Sequence, residues 1–335
     1  MDAAFYNPFE QMNLRPDACF LCGGVPDERT REHVFPLWLL QRQDLLDAKL
    51  TLLNGTTIPY RQLTVPCCRE CNNEHLSELE NVIKGASAKS ASAVRDLPEV
   101  QVFQWMAKIF IGLLWAELRL KADRAEIDGG PIVPREVVED FAVLHGHLQS
   151  VRRPFVFENP TPWSLFVTEV HSFDSQLDFD YQDSVFGLCF GIRFSGVGII
   201  ACLQDNSTQK ELFGELWEPL YSVPLHWQQW EEMWVKVMYR HSLLRRVPKY
   251  LSVLPPSDDG PVHVISLRTG GFAPETMWGE WNQQEYAEML LAVLQRKMPW
   301  LTIDDLFIPP DKVMSWAFKA NGSVNTVDAA GNPVA

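Results

Sequence analysis

Apolar and polar positions follow three different rhythms along the chain. Up to about residue 96 the apolar runs are short and broken by turn formers. Val102 to about Lys121 is then almost wholly apolar, which predicts a buried helix. A weaker helical pattern covers Arg135 to Ser150 and is introduced by Pro134. From Phe155 the pattern changes to β-branched or aromatic runs separated by Asn-Pro, Asp-Ser and Ser-Gly signals. Phe155 to Phe157, Ser164 to Val170, Gln176 to Tyr181, Val185 to Phe194 and Val197 to Leu203 predict an antiparallel meander, closed at its last hairpin by Phe194-Ser195-Gly196. Trp227, Trp230, Trp234 and Met238 share one face of a helix over about His226 to Arg246. A final helix is predicted over Gln283 to Lys297, and the segment from Lys319 to Ala335 reads as frayed.

These patterns predict an α+β protein. A small stapled domain occupies residues 1–96, a larger mixed α+β domain with an antiparallel sheet occupies 97–318, and 319–335 form a flexible tail. Between Ala86 and Pro98 the small polar residues read equally as a linker or as a short helix.

With 46% hydrophobic and 21% charged residues, 12 Trp and 19 Phe, wholesale disorder, collagen-like and coiled-coil classes are excluded. The net charge of -14 argues against a surface that binds nucleic acid or anionic membrane everywhere, so any contact with nucleic acid must be local. The most apolar stretch contains Gln104, Lys108, Glu117 and Arg119. Charges near a bilayer centre cost roughly 2.5 kcal/mol or more each, so no membrane span is expected. No leader pattern marks the first residues, which makes a cytoplasmic protein the expectation. Five of the seven cysteines lie between Cys19 and Cys71, a clustering that points to metal rather than disulfides in a reducing compartment.

Cys19-Phe-Leu-Cys22 followed by Gly23-Gly24 has the form of a zinc knuckle, two thiolates on a tight turn relieved by glycine. Cys68-Arg-Glu-Cys71 supplies a second pair, and the two together predict a four-thiolate structural zinc site. Cys67 competes with Cys68, but the two-residue spacer favours Cys68 and leaves Cys67 as a buried thiol. Structural zinc does not fix a reaction, so the neighbouring strings matter: Arg31-Glu32-His33-Val34-Phe35-Pro36, and Asn72-Asn73-Glu74-His75 running on to Glu80.

Taken together, over about residues 17–84, these motifs resemble the HNH, or ββα-metal (treble-clef), endonuclease superfamily. The layout is similar to the recombination endonuclease VII branch, and to bacterial proteins that share an EHVxPxW string and a CxxCNN helix. The resemblance implies that His33 is the general base and that Glu32 and Asn72 hold a catalytic divalent cation, Mg²⁺ or Mn²⁺. Zinc at Cys19, Cys22, Cys68 and Cys71 is then structural. The chemistry is compatible. Neutral imidazole is a competent base near neutrality, and consecutive strand residues point to opposite sides, so Glu32 could face the cation while His33 faces the water. An amide oxygen suits a hard cation.

The pattern also departs from the family. Asn72 stands where histidine is commoner, and the Asn that usually orients the base has no clean counterpart. Asn54 is nearest in order, but Asn54-Gly55 reads better as a type I′ hairpin turn. Each site residue also has a plainer reading. Glu32 suits the acidic approach to a helix beginning near Pro36, and Asn72 suits an N-cap. Asn73 and His75 share the same first turn and could contact phosphate or cation. Arg29, Arg31, Arg42, Arg61 and Arg69 form a phosphate track if they share a face. The tryptophan stripe reads as core rather than a base-stacking platform, and the histidines from His145 onward are assigned no role.

The resulting expectation is a metal-dependent endonuclease that hydrolyses nucleic-acid phosphodiesters, DNA in the first place, and acts as a defence effector. The second domain would select substrate, control activity or mediate assembly with a second copy or another protein. The alternative is a catalytically inactive zinc-stabilised module that binds nucleic acid or protein.

Overall fold

The computed structural model describes residues 6–25, 29–123, 125–126, 129–171, 178–185, 187–245, 248–256, 260–267, 278–328 and 333–334. Strand β1 (Arg29–His33) is followed by helix α1 (Leu37–Arg42), which starts where the extended backbone of Pro36 ends. Strands β2 (Lys49–Thr51) and β3 (Thr57–Pro59) form a hairpin around Asn54-Gly55. Only Gly55 has positive φ there, and its N–H donates to Leu52 O at 2.8 Å. A type I′ turn needs positive φ at both central residues, so the expected turn type gives way to a longer loop in which glycine alone takes the left-handed position. Asn54 belongs to this loop: its Oδ1 accepts from Thr56 N at 3.1 Å and its Nδ2 donates to Ala122 O at 2.7 Å.

Strand β4 (Thr64–Cys68) pairs antiparallel with β1, Arg29 opposite Cys68 and His33 opposite Thr64. The chain then enters a π-helical turn, Cys71–Leu76, and continues as α2 (Ser77–Ser87), which buries Leu79, Ile83 and Ala86. Two antiparallel strands followed by a helix is therefore the local arrangement around the cysteines. A short helix, α3 (Ala91–Arg95), follows with Ser90 as its N-cap, Oγ accepting from Ala93 N at 3.0 Å. Of the two readings of this stretch, the helical one applies to residues 91–95.

Helix α4 (Glu99–Arg119) buries almost every residue from Val102 to Glu117. Gly112 permits its close approach to Val34, whose Cγ1 would lie 3.2 Å from an added Cβ. Two shorter helices, α5 (Arg135–Glu139) and α6 (Ala142–Leu148), replace the single helix expected after Pro134.

The chain divides into two compact units. The first comprises residues 1–88, 97–156 and 252–264, and the second residues 89–96, 157–251 and 265–335. The expected boundary near residue 96 is thus corrected: α4 belongs with the cysteine-bearing segment, because its apolar circumference and Lys108 are buried there.

The sheet order departs from a simple meander. Strand β5 (Phe155–Phe157) belongs to a separate three-stranded sheet. The main sheet comprises β6 (Ser164–His171), β7 (Asp180–Ser184), β8 (Cys189–Phe194), β9 (Val197–Cys202) and β10 (Leu225–His226), in the order β10-β6-β9-β8-β7. Only β7, β8 and β9 meander; β6 pairs with β9, and β10 joins β6 in parallel. The part of the expected third strand that covers residues 176–177 lies outside the described residues. The β8–β9 turn has the expected form, with φ of 47° at Ser195 and 80° at Gly196.

Helix α7 (Thr208–Trp217) precedes α8 (Trp227–Ser242), which opens on a capping box at His226 and Gln229. Trp230 and Trp234 are fully buried in the core, as the stripe predicts. The sheet makes room for them with glycine: an added Cβ at Gly198 would lie 2.4 Å from Trp230 Nε1, and at Gly191 2.9 Å from Trp234 Cε3. The closing helix covers Gln283–Leu294, capped by Asn282. The tail expected to be flexible is tied down in part, since Asn325 is buried, its N–H donates to Ala317 O at 2.9 Å, and its own O accepts from Gln229 Nε2 at 2.9 Å. Among the described residues no helix is long and apolar enough to cross a membrane.

Candidate metal centre and adjoining polar pocket

The knuckle at Cys19 is built by the backbone. Gly23 N donates to Cys19 O, and Cys19 N to Gly24 O, both at 2.8 Å. Gly23 has φ of 66°, and an added Cβ would meet the Tyr6 ring at 2.4 Å, so both conformation and packing demand glycine. On the opposite side β4 delivers Cys68, and the π-helical turn delivers Cys71, whose N–H donates to Cys68 Sγ at 3.4 Å. The four sulfurs of Cys19, Cys22, Cys68 and Cys71 all lie within 4.8 Å of one another. Cys22 and Cys68 are 3.8 Å apart. A tetrahedron with Zn–S bonds of about 2.3 Å has edges of about 3.8 Å, so the cluster can hold a structural metal ion such as zinc. Cys67 points to the buried side of β4, 3.9 Å from Cys19 Sγ, and stays outside the four.

Next to this cluster lies a polar hollow of about 270 Å³. Arg31, Glu32 and His33 line it from β1, Asn72 and Asn73 from the π-helical turn, and Ser77, Glu80 and Asn81 from α2, with Leu37 and Trp38 at one wall. The pairing of β1 with β4, and the turn that leaves β4 through Cys71, bring these segments together. Glu32, His33 and Asn72 therefore all line one hollow.

Each of the three has a definite partner structure. The Nδ2 of Asn72 donates to Thr30 Oγ1 at 3.3 Å and to Arg31 O at 3.4 Å. Asn72 makes no capping bond, so the N-cap reading is replaced by a tether to β1 that leaves Oδ1 without a hydrogen bond among the described residues. His33 is half-buried, and burial, reinforced by the charge of Lys108 and opposed by Glu80, holds its imidazole below the ordinary value. Its neutral form is favoured.

Glu32 is buried and places Oε1 2.6 Å from Lys108 Nζ. Lys108 also reaches Glu80 Oε1 at 2.9 Å, His33 O at 2.7 Å and Val34 O at 3.2 Å. Burial acts to lower the Lys108 pKa, but the two carboxylates outweigh it and raise the value above that of an ordinary lysine. Burial likewise raises Glu80, against the pull of Lys108. The sequence left Lys108 and Glu80 without a site role. A lone lysine in an apolar helical run was the available signal, since a buried ammonium needs carboxylate partners.

Among the other residues singled out, Asn73 lines the hollow, whereas His75 lies 3.7 Å from Glu70 and does not. Arg31 lines it too, and is close enough to Arg119 that the like charge, added to burial, lowers the latter's pKa. Arg42 stacks on Trp38, a wall of the hollow, at 4.8 Å, while Arg61 pairs with Asp47. The side chain of Arg29 lies outside the described residues.

No protein-family model matches this chain, and neither a curated protein nor a solved structure matches it.

Proposed function

We propose that this chain is a metal-dependent endonuclease of the HNH, treble-clef type, which hydrolyses phosphodiester bonds of nucleic acid, DNA in the first place. The observation that supports it best is the meeting of His33 and Asn72 across one polar hollow beside the four-cysteine cluster.

The donor set of the hollow fits a hard divalent cation. Glu32 and Glu80 supply carboxylate oxygens beside Lys108, and the tethered Asn72 makes no hydrogen bond through its amide oxygen among the described residues. Glu32 and Asn72 would hold Mg²⁺ or Mn²⁺, which when bound neutralises charge on the scissile phosphate. His33, kept neutral by its surroundings, takes a proton from water as the water oxygen attacks phosphorus. The phosphorus–oxygen bond to the leaving sugar breaks, and the departing alkoxide is protonated by solvent. Arg31, exposed at the rim, holds a flanking phosphate. The second unit is assigned control or assembly, because a nuclease needs restraint inside its host, and that context suggests a role in defence.

The ion pair between Glu32 and Lys108 favours a second reading, in which Lys108 stands in place of the cation and the module binds nucleic acid or protein without cutting. Plasmid cleavage with Mg²⁺ or Mn²⁺ decides between them. The nuclease reading expects cation-dependent nicking that His33→Ala abolishes. Intact plasmid at every cation concentration, with retained binding, would establish the second.

A further inference from the structure

The second unit contains another cluster of metal-ligating side chains, drawn from residues far apart in sequence. Cys189 on β8 and Cys202 on β9 are directly opposite one another in the antiparallel ladder. Their sulfurs lie 3.4 Å apart. His241, in the last turn of α8, brings a ring nitrogen to them, and the three ligand atoms all fall within 4.8 Å of one another. All three residues are buried.

We propose that Cys189, Cys202 and His241 bind a zinc ion that ties the end of α8 to the β8–β9 hairpin. The imidazole supplies the second, independent observation. His241 Nδ1 is buried and finds no hydrogen-bond partner among the described residues, so the ring that stands beside the two sulfurs has a nitrogen open to a metal.

Charge decides the ion. The cysteines belong to an apolar core that includes Phe166, Trp230 and Trp234, with the buried Asp205 close enough to act on Cys202, and burying further net charge there is costly. Two thiolates exactly neutralise zinc(II), whereas copper(I), the other ion that favours thiolate and imidazole, would leave one net negative charge. On binding, the two thiols release two protons to solvent and the imidazole enters neutral. Two thiolates and one imidazole leave zinc one position for a small fourth ligand. The site is independent of the polar hollow and of any nuclease activity.

Metal analysis of the full chain, expressed with zinc and purified anaerobically under reducing conditions, tests this. Two zinc ions per chain are expected in the wild type, falling to one in Cys189→Ser and in His241→Ala. His241→Cys should restore the second ion, which a purely structural histidine would not do. X-ray absorption at the zinc edge of the wild type needs no variant to fold, and should show fewer than four sulfurs per zinc together with imidazole scattering. An all-sulfur zinc environment at one ion per chain would overturn the proposal. So would a Cys189–Cys202 disulfide in the anaerobic protein. Retention of copper(I) in preference to zinc, when both are supplied, would overturn the choice of ion.

Discussion

The carboxylate of Glu32 lies 2.6 Å from the ammonium of Lys108, and the lysine side chain is only 1% exposed. A residue on the first strand of the cysteine-bearing segment is thereby locked to one midway along α4, and Glu80 of α2 closes the triad at 2.9 Å. Truncating the lysine leaves two buried carboxylates uncompensated. Lys108→Met should destabilise the protein by about 3–5 kcal/mol in urea unfolding. Adding Glu32→Gln and Glu80→Gln to that variant should recover much of the loss, because the charges then vanish together. No recovery in the triple variant would show that packing, rather than charge, dominates at this position.

His33 sits at the hollow with its pKa lowered by burial and by Lys108. Its neutral form therefore persists to more acidic pH than a free imidazole allows. If His33 is the base, the cleavage rate should rise with pH along an acid limb whose midpoint lies below about 6.5, and be level above it. An acid limb centred above that value would assign the proton transfer to another group. His33→Ala should lower the rate by at least 10²-fold.

The four-cysteine cluster links the knuckle to the start of the helix through two separate sequence segments. Cys68→Ser, or removal of metal by a strong chelator, should unfold the first unit, since structural zinc contributes about 10 kcal/mol or more of apparent binding energy in small domains. Loss of near-ultraviolet circular dichroism on chelation, reversed by added zinc, is the expected result. Cys67→Ala should leave zinc content unchanged.

His145 and His147 on α6 are fully buried, and desolvation pushes their pKa values down to about 4 and about 3. Both are neutral in the folded state, while the unfolded chain takes up protons near the ordinary value of about 6.5. The stability they protect is therefore complete above about 6.5 and declines as the pH falls from there toward 4, at up to about 1.4 kcal/mol per pH unit for each group. Unfolding midpoints measured between pH 7 and 4 should show this decline, and His147→Phe should flatten it. A stability profile that ignores that substitution would place the acid sensitivity elsewhere.

Gly198 gives Trp230 its seat against β9. Gly198→Ala would set a methyl group 2.4 Å from Trp230 Nε1 and 2.6 Å from Val170 Cγ2. Overpacking of this kind should cost about 1–3 kcal/mol, read as a lower midpoint in thermal or urea unfolding. Gly85→Ala, in α2 with open space around it, should be neutral or slightly stabilising.

The sequence by itself determined what depends on neighbouring residues. Two CxxC pairs placed four sulfurs at knuckle spacing, and a long apolar run could only be a buried helix. Tryptophans on one helical face had to enter a core, and Ser195-Gly196 could take the positive φ values its hairpin requires. These features were legible because local geometry and periodicity suffice to specify them. The tertiary structure decided what depends on residues meeting from afar. Lys108 became the partner of Glu32 and Glu80, β6 paired with β9, and α4 joined the cysteine-bearing unit. Cys189 and Cys202, outside the cysteine cluster that the spacing picked out, met His241, a histidine assigned no role. Long-range pairing follows from burial and strand register, which no local spacing encodes, so a solitary lysine, two separate cysteines and a lone histidine acquire their chemistry only when the chain closes on itself.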